Sequence, residues 1–194
     1  DKGEEHEAEV RELIQQYKVG GLCFFQGTPE RQAELINECQ QIASPVPLMI
    51  AIDGEWGLGM RMKSSTISFP RQLTLGAIQN NRLLYDMGEE IARQLKLVGV
   101  HVNFAPVADV NNNPANPVIN ERSFGEDRLN VAVKSLNYAR GMENNGVMAC
   151  AKHFPGHGDT DVDSPLDLPV IRHDLQRLDS IELFPFQVLA EQGI

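Results

Sequence analysis

The stretch PLMIAIDGEWGLGMR (47–61) passes from an unbroken apolar run into a polar, glycine-rich loop, and the residue at the junction is Asp53. A short apolar run bounded by turn residues reads as a buried strand, so the charge sits at the strand's C-terminal end. The same pattern recurs. GGLCFFQ (20–26) opens on glycines, GVHVNFAPVAD (99–109) leads into NNNPANPVINERSFGED (111–127), and GVMACAKHF (146–154) leads into another long polar loop. Helical patterns alternate with these runs. Residues 4–18 place Val10, Leu13, Ile14 and Tyr17 on one stripe. Thr28-Pro29 supplies an N-cap and a first-turn proline for a helix whose inner stripe is Leu35, Ile36, Cys39 and Ile42. Further helices are expected over about 81–97, with Leu84, Ile91 and Leu95 inward, over about 128–144, and from about His173 onward.

Strands that are apolar throughout and alternate with helices predict a parallel sheet covered on both faces. The polar segments follow strand C-termini, where doubly wound sheets and (β/α)₈ barrels both build their sites. Functional-looking residues follow several successive strands, which favours strand ends converging on one axis. The fold class expected is therefore α/β, a (β/α)₈ TIM-type barrel. Only four strands are legible, and eight typically take about 250 residues, so the 194 residues are expected to form a partial barrel as a single segment.

Composition narrows the function classes. Hydrophobic residues make up 42% and charged residues 23%, enough for a packed core. A net charge of −10 argues against a nucleic-acid binder, which needs a basic surface for phosphates. No apolar run approaches the roughly 18 residues that span a bilayer, and DKGEEHEAEV is unlike a signal peptide, so the chain as written is expected to be soluble. Cys23, Cys39 and Cys150 form no CxxC pair and are read as small buried hydrophobes.

Three segments carry candidate chemistry. Asp53 and Arg61 could grip hydroxyls from two sides of a glycine-lined loop, with Trp56 either a stacking platform for a sugar or a packing residue. Arg122 could offer its fork of donors to vicinal oxygens, or pair with Glu126 or Asp109 and only order its loop. The densest segment is KHFPGHGDTDVDSP (152–165). His157, Asp159, Asp161 and Asp163 match neither HExxH nor an EF-hand ladder, so no metal is expected. A solvated acidic turn leaves Lys152 and His153, at the end of a buried strand, unexplained. A site for a neutral polar ligand accounts for them, with Lys152 and His153 donating to its hydroxyls and the acids available for proton transfer.

KHFPGHGDTDVDS, NPANPVINERSFGED and IDGEWGLGMRM, in this order, resemble glycoside hydrolase family 3, most closely its bacterial β-N-acetylhexosaminidase branch. The resemblance implies a barrel catalytic domain, a saccharide substrate, no cofactor, and a bacterial cytoplasmic or periplasmic setting. It implies that Asp53, Arg61, Arg122, Lys152 and His153 hold the terminal sugar. In that branch a His in a D-S-H loop is the acid/base, backed by an Asp. Here the Asp is Asp163 and the His position is Pro165, which carries no titratable proton. The family's nucleophile, an Asp on a later strand, falls beyond Ile194. The resemblance thus implies an exo-acting retaining β-N-acetylglucosaminidase with His157, Asp161 or Asp163 serving as acid. Two alternatives are a sugar-binding pseudo-enzyme and the β-glucosidase branch of the same family.

Overall fold

The computed structural model describes residues 3–160, 171 and 173–194. Strands β1 (Gly21–Phe24), β2 (Met49–Ile52), β3 (Val102–Asn103) and β4 (Met148–Ala149) form one parallel sheet in the order β1-β2-β3-β4. Cys23 lies beside Ala51, Ala51 beside Val102, and Val102 beside Met148. A doubly wound sheet reverses its strand order at a switch point. An order that follows the chain is the winding of a barrel wall.

The helices are α1 (Glu4–Glu12), α2 (Pro29–Ala43), α3 (Gln72–Gly76), α4 (Arg82–Leu97), α5 (Arg128–Glu143), α6 (Leu175–Ser180) and α7 (Phe184–Glu191). Thr28 caps α2 by accepting from the Arg31 amide at 3.3 Å, with Pro29 in the first turn as read from the sequence. Asp127 caps α5 in the same way at 2.7 Å. Ile50 and Ile52 of β2 are fully buried in one core with Ile36 of α2, Leu84, Ile91 and Leu95 of α4, and Val131, Tyr138 and Met142 of α5.

The expectation of a sheet covered on both faces is corrected. Among the described residues helices cover one face only. The other carries Cys23, Met49 and Met148, all exposed, and Cys150, two residues past Met148, is exposed as well. In a barrel wall this second face looks toward the axis, so both faces of each strand are apolar for different reasons. Of the three cysteines only Cys39 is the buried hydrophobe expected. The single helix expected over 4–18 is also corrected: α1 ends at Glu12 and a π-helical turn spans Leu13–Tyr17. The wider turn rotates the stripe, so Ile14 is buried while Leu13 and Tyr17 are exposed.

β3 and β4 are shorter than their apolar runs because side chains take over the ladder. Asn103, fully buried, accepts from the Gly54 amide at 2.9 Å and donates to the Gly54 carbonyl at 3.1 Å. Gln72 does the same for Val107, donating to its carbonyl at 2.8 Å and accepting from its amide at 3.1 Å. Irregular pairing continues from Cys150, whose amide donates to the Ala105 carbonyl, to Ala108, whose amide donates to the Lys152 carbonyl at 2.7 Å. That continuation sets Asp109 beside His153.

Candidate active site

The residues just past the strand ends meet at one end of the sheet. Asp53 follows β2. The chain then turns through Gly57, at φ 87° in the left-handed region, and a 3₁₀ turn (Leu58–Met60), which returns Arg61 to Asp53. Arg61 donates from Nε to the Asp53 carbonyl at 2.6 Å and from Nη2 to Asp53 Oδ2 at 2.6 Å. Lys152 Nζ donates to Asp53 Oδ1 at 2.5 Å and lies 2.8 Å from Glu55 Oε1. Arg122 closes a bidentate fork on Glu55 at 2.6 and 2.9 Å and donates to the Val118 carbonyl at 3.1 Å. Its Nη2 also lies 3.2 Å from His153 Nε2, and His153 Nδ1 lies 2.6 Å from Asp109 Oδ2.

These contacts string into one row: Arg61, Asp53, Lys152, Glu55, Arg122, His153, Asp109. The five residues proposed from sequence as a grip, Asp53, Arg61, Arg122, Lys152 and His153, all stand in it. Two members were missed. Glu55 is 1% exposed and is the partner of Arg122 in place of the Glu126 or Asp109 considered from sequence. Asp109 is 0% exposed and orients His153. The only sequence signal for either was an acid at the end of an apolar run, for Asp109, or two residues past one, for Glu55.

The electrostatics of the row follow from its pairing. Burial pushes the Glu55 carboxyl up, but the Arg122 hydrogen bonds and the Lys152 charge outweigh it and hold it below the ordinary carboxylate range. Burial pulls the Arg122 guanidinium down, yet the fork on Glu55 and the neighbouring acids raise it overall. Behind Glu55, buried Tyr138 donates to the Glu55 carbonyl at 3.1 Å, and burial together with the Glu55 charge raises its phenol. Guanidinium nitrogens only donate, so His153 Nε2 must accept from Arg122. Its Nδ1 therefore carries the proton toward Asp109, and the ring presents an acceptor to the site. The sequence reading of His153 as a donor to hydroxyls is corrected on this point. With His153 neutral, three carboxylates balance three cations. Such a set suits an uncharged ligand whose hydroxyls accept from a cation and donate to a carboxylate or imidazole at once.

His157 stands behind this row, 7% exposed and edge-on to His153 at 5.9 Å. Its amide donates to Asp109 Oδ1 at 2.7 Å, and its Nδ1 pairs with Thr160 Oγ1. Asn116 Nδ2 ties the turn by donating to the carbonyls of His157 at 2.7 Å and Thr160 at 2.8 Å. Asp161, Asp163 and Pro165 lie outside the described residues. Trp56 has the Arg71 guanidinium over its ring at 3.8 Å, and Arg71 pairs with Glu121 at 3.0 Å, so one ring face is already covered. Among the described residues one group could supply metal ligands: Asp159, His173 and Glu182, with ligand atoms within 4.8 Å of one another. Arg177 Nη1 already sits 2.7 Å from both Glu182 oxygens, so an arginine holds the cation position there.

Residues 3–194 match the glycosyl hydrolase family 3 N terminal domain. The chain belongs to this family. Beta-hexosaminidase A of Pseudoalteromonas piscicida is 39% identical over an alignment of 189 residues that covers 92% of this chain and 32% of that protein. A glycoside hydrolase family 3 β-N-acetylglucosaminidase from Paenibacillus sp. str. FPU-7 superposes with a TM-score of 0.91 at 41% identity, covering 96% of this chain and 36% of that one. NagZ from Neisseria gonorrhoeae, solved in complex with N-trifluoroacetyl-D-glucosamine, gives a TM-score of 0.86 at 29% identity, over 96% of this chain and 56% of that one. The chain thus spans about a third of the length of the first two of these relatives. Its four-stranded parallel sheet is a partial barrel of the family 3 N-terminal type.

Proposed function

We propose that these residues are the sugar-gripping part of an exo-acting retaining β-N-acetylglucosaminidase, acting on glycans or peptidoglycan fragments. The observation that carries the reading is the charge-balanced row at the strand ends, in which three carboxylates and three cations are already paired. Relatives named beta-hexosaminidase and β-N-acetylglucosaminidase support the choice of sugar. In this reading Lys152, Arg61 and Arg122 donate to hydroxyl oxygens of the terminal sugar, Asp53 accepts from its hydroxyl protons, and His153 Nε2 accepts from a hydroxyl in place of Arg122 Nη2, which turns to the sugar. Glu55 and Asp109 hold the cations and the imidazole in place and do not touch the sugar. His157 orders the turn behind His153. Retention requires a nucleophile and an acid/base on opposite sides of the bond. The nucleophile is an Asp on a strand outside these 194 residues, and the acid comes from the 161–165 segment, with Asp163 the candidate.

The test is turnover by the full-length protein on aryl β-N-acetylglucosaminides and aryl β-glucosides side by side. Faster turnover of the N-acetylglucosaminide is expected; the reverse preference would place the protein in the β-glucosidase branch. The sequence favours one second reading, because Pro165 cannot protonate a leaving group. General acid catalysis is typically worth about 10² to 10⁴ in rate. If no neighbouring acid replaces it, dinitrophenyl substrates turn over well and natural disaccharides poorly, and Pro165→His restores the latter. Sugar binding without turnover of either substrate would establish a pseudo-enzyme.

A further inference from the structure

Two sequence neighbours of the row, Trp56 beside Glu55 and Glu121 beside Arg122, are joined to each other through a third residue. Arg71 Cζ lies 3.8 Å over the Trp56 ring centroid, and Arg71 Nη1 lies 3.0 Å from Glu121 Oε1. The loop after β2 and the loop after Asp109 are therefore tied twice, at consecutive residues. Glu55 meets Arg122 directly at 2.6 and 2.9 Å, and Trp56 meets Glu121 through Arg71. Arg71 hangs from a fixed point. It precedes Gln72, 1% exposed, whose side-chain amide holds the Val107 backbone at 2.8 and 3.1 Å. Two residues before Arg71, the Phe69 amide donates to the Trp56 carbonyl at 3.1 Å.

The turn that carries Arg122 needs a second tie. Arg122 ends the 3₁₀ turn Asn120–Arg122, whose first residue has φ 36°, in the left-handed region that few residues other than glycine occupy freely. A two-pronged fork fixes the guanidinium in the plane of the Glu55 carboxylate but lets the turn pivot about that pair. A pivot would swing Arg122 Nη2 off His153 Nε2, 3.2 Å away. An anchor one residue earlier removes this freedom. The chemistry of the anchor suits the task, because a flat guanidinium can stack on an indole and still donate in its own plane to a carboxylate. The Arg71 and Glu121 side chains are 42% and 59% exposed, so their ion pair alone contributes little. The stack on Trp56 is what gives the arginine a defined orientation.

We infer that Arg71, stacked on Trp56 and paired with Glu121, is a positioning residue that orients Arg122 for sugar binding. The inference rests on the sugar-binding reading of Arg122 and adds a residue outside the row. Among the described residues Arg71 has no hydrogen bond or ion pair with Glu55, Arg122 or His153, so its influence on them travels through Glu121 and the turn. Trp56, which the sequence offered as a stacking platform for a sugar, is a platform for an arginine.

The experiment records the ¹⁵N signal of the His153 ring in the unliganded full-length protein, with KM and kcat on an aryl β-N-acetylglucosaminide, for Arg71→Gln, Arg71→Lys, Trp56→Leu and Trp56→Phe. Arg71→Gln and Trp56→Leu are expected to raise KM about fivefold, the combined worth of an exposed ion pair and a cation–π stack. Their kcat should stay close to wild type, because the interaction lost is made equally in the ground state and the transition state. In both, the His153 Nε2 signal should move downfield as its donor withdraws, although Arg71 makes no contact with that ring. Trp56→Phe keeps an aromatic face and should stay near wild type. Arg71→Lys keeps the charge without the flat stack and should fall between. Arg71→Gln alters a side chain that is nearly half exposed, so its melting temperature should hold and a raised KM there reports position rather than unfolding. A His153 signal that stays in place in Arg71→Gln would overturn the inference. So would kcat falling as far as kcat/KM, which would mean that Arg71 acts on the transition state itself. Equal losses in Trp56→Phe and Trp56→Leu would overturn the stack as the source of orientation. If the wild type turns over no N-acetylglucosaminide, the sugar reading fails, and the ring signal still decides whether Arg71 orients Arg122.

Discussion

Asp109 shows why one atom can matter to a site it never reaches. Three N–H donors converge on its carboxylate: the amides of His153 and His157 and the His153 ring nitrogen. Only a carboxylate accepts from all three, so Asp109→Asn turns an amide NH₂ toward a donor and leaves a buried group unsatisfied. Such a loss costs about 1–3 kcal/mol. The expected results are weaker sugar binding by a similar factor, a KM effect larger than the kcat effect, and a shift of the His153 proton from Nδ1 to Nε2. Imidazole ¹⁵N spectra report that tautomer directly. An unchanged tautomer with unchanged KM would refute the positioning role. Glu55 makes the complementary case, since it carries the charge that fixes Lys152 and Arg122. Its folded value is depressed, so its contribution to stability is complete above the unfolded carboxylate value of about 4.3 and is lost as pH falls through the lower folded value. Glu55→Gln should therefore destabilise by about 1–3 kcal/mol at neutral pH, with wild type and variant converging in acid. A gap that stays constant from pH 7 down through the carboxylate range would contradict this account of the Arg122–Glu55–Lys152 contacts.

At the scale of elements, the contact of α4 with α5 is set by two glycines. A Cβ at Gly88 would stand 2.3 Å from the Tyr138 carbonyl oxygen, and one at Gly141 would stand 2.2 Å from the Tyr85 carbonyl oxygen. Both obstacles are backbone and cannot swing away, so the helices would have to part. Overpacking of this kind costs about 1–3 kcal/mol. Gly141→Ala should lower the denaturant midpoint by that amount, whereas Gly20→Ala, with nothing within 4 Å, should be near neutral. Equal midpoints for the two variants would mean that the contact yields more easily than its geometry implies. The order of these elements was legible in the sequence because strand and helix patterns alternate cleanly and Thr28-Pro29 marks a helix start. Strand lengths were not, since Asn103 and Gln72 replace ladder bonds with side-chain amides, and nothing in an apolar run announces that. The candidate site divides along the same line. Asp53, Lys152 and His153 stand at strand ends and could be read there, and Arg61 and Arg122 lie in the loops that follow. Glu55 and Asp109 became visible only through contacts spanning 67 and 44 residues of sequence.

For the molecule as a whole, the open face of the sheet is the dominant physical fact. Met49 is 47% and Met148 46% exposed, with Cys23 and Cys150 beside them, and β1 and β4 have no outer neighbour among the described residues. Apolar side chains flanked by unpaired strand edges are a template for association. A net charge of −10 opposes this only weakly, because charge repulsion is screened within about a nanometre in salt while the face itself carries no charge at its centre. Residues 1–194 produced alone should therefore bind a hydrophobic dye and sediment as species that grow with concentration. The full-length protein, twice to three times longer if it is like its relatives, should do neither, because further barrel strands would cover face and edges together. Met49→Lys with Met148→Lys should suppress association of the segment by placing charge on the face. A segment that stays monomeric and dye-silent at high concentration would show that the face is closed in some other way, and the barrel-wall explanation of its apolar strands would lose its main physical consequence.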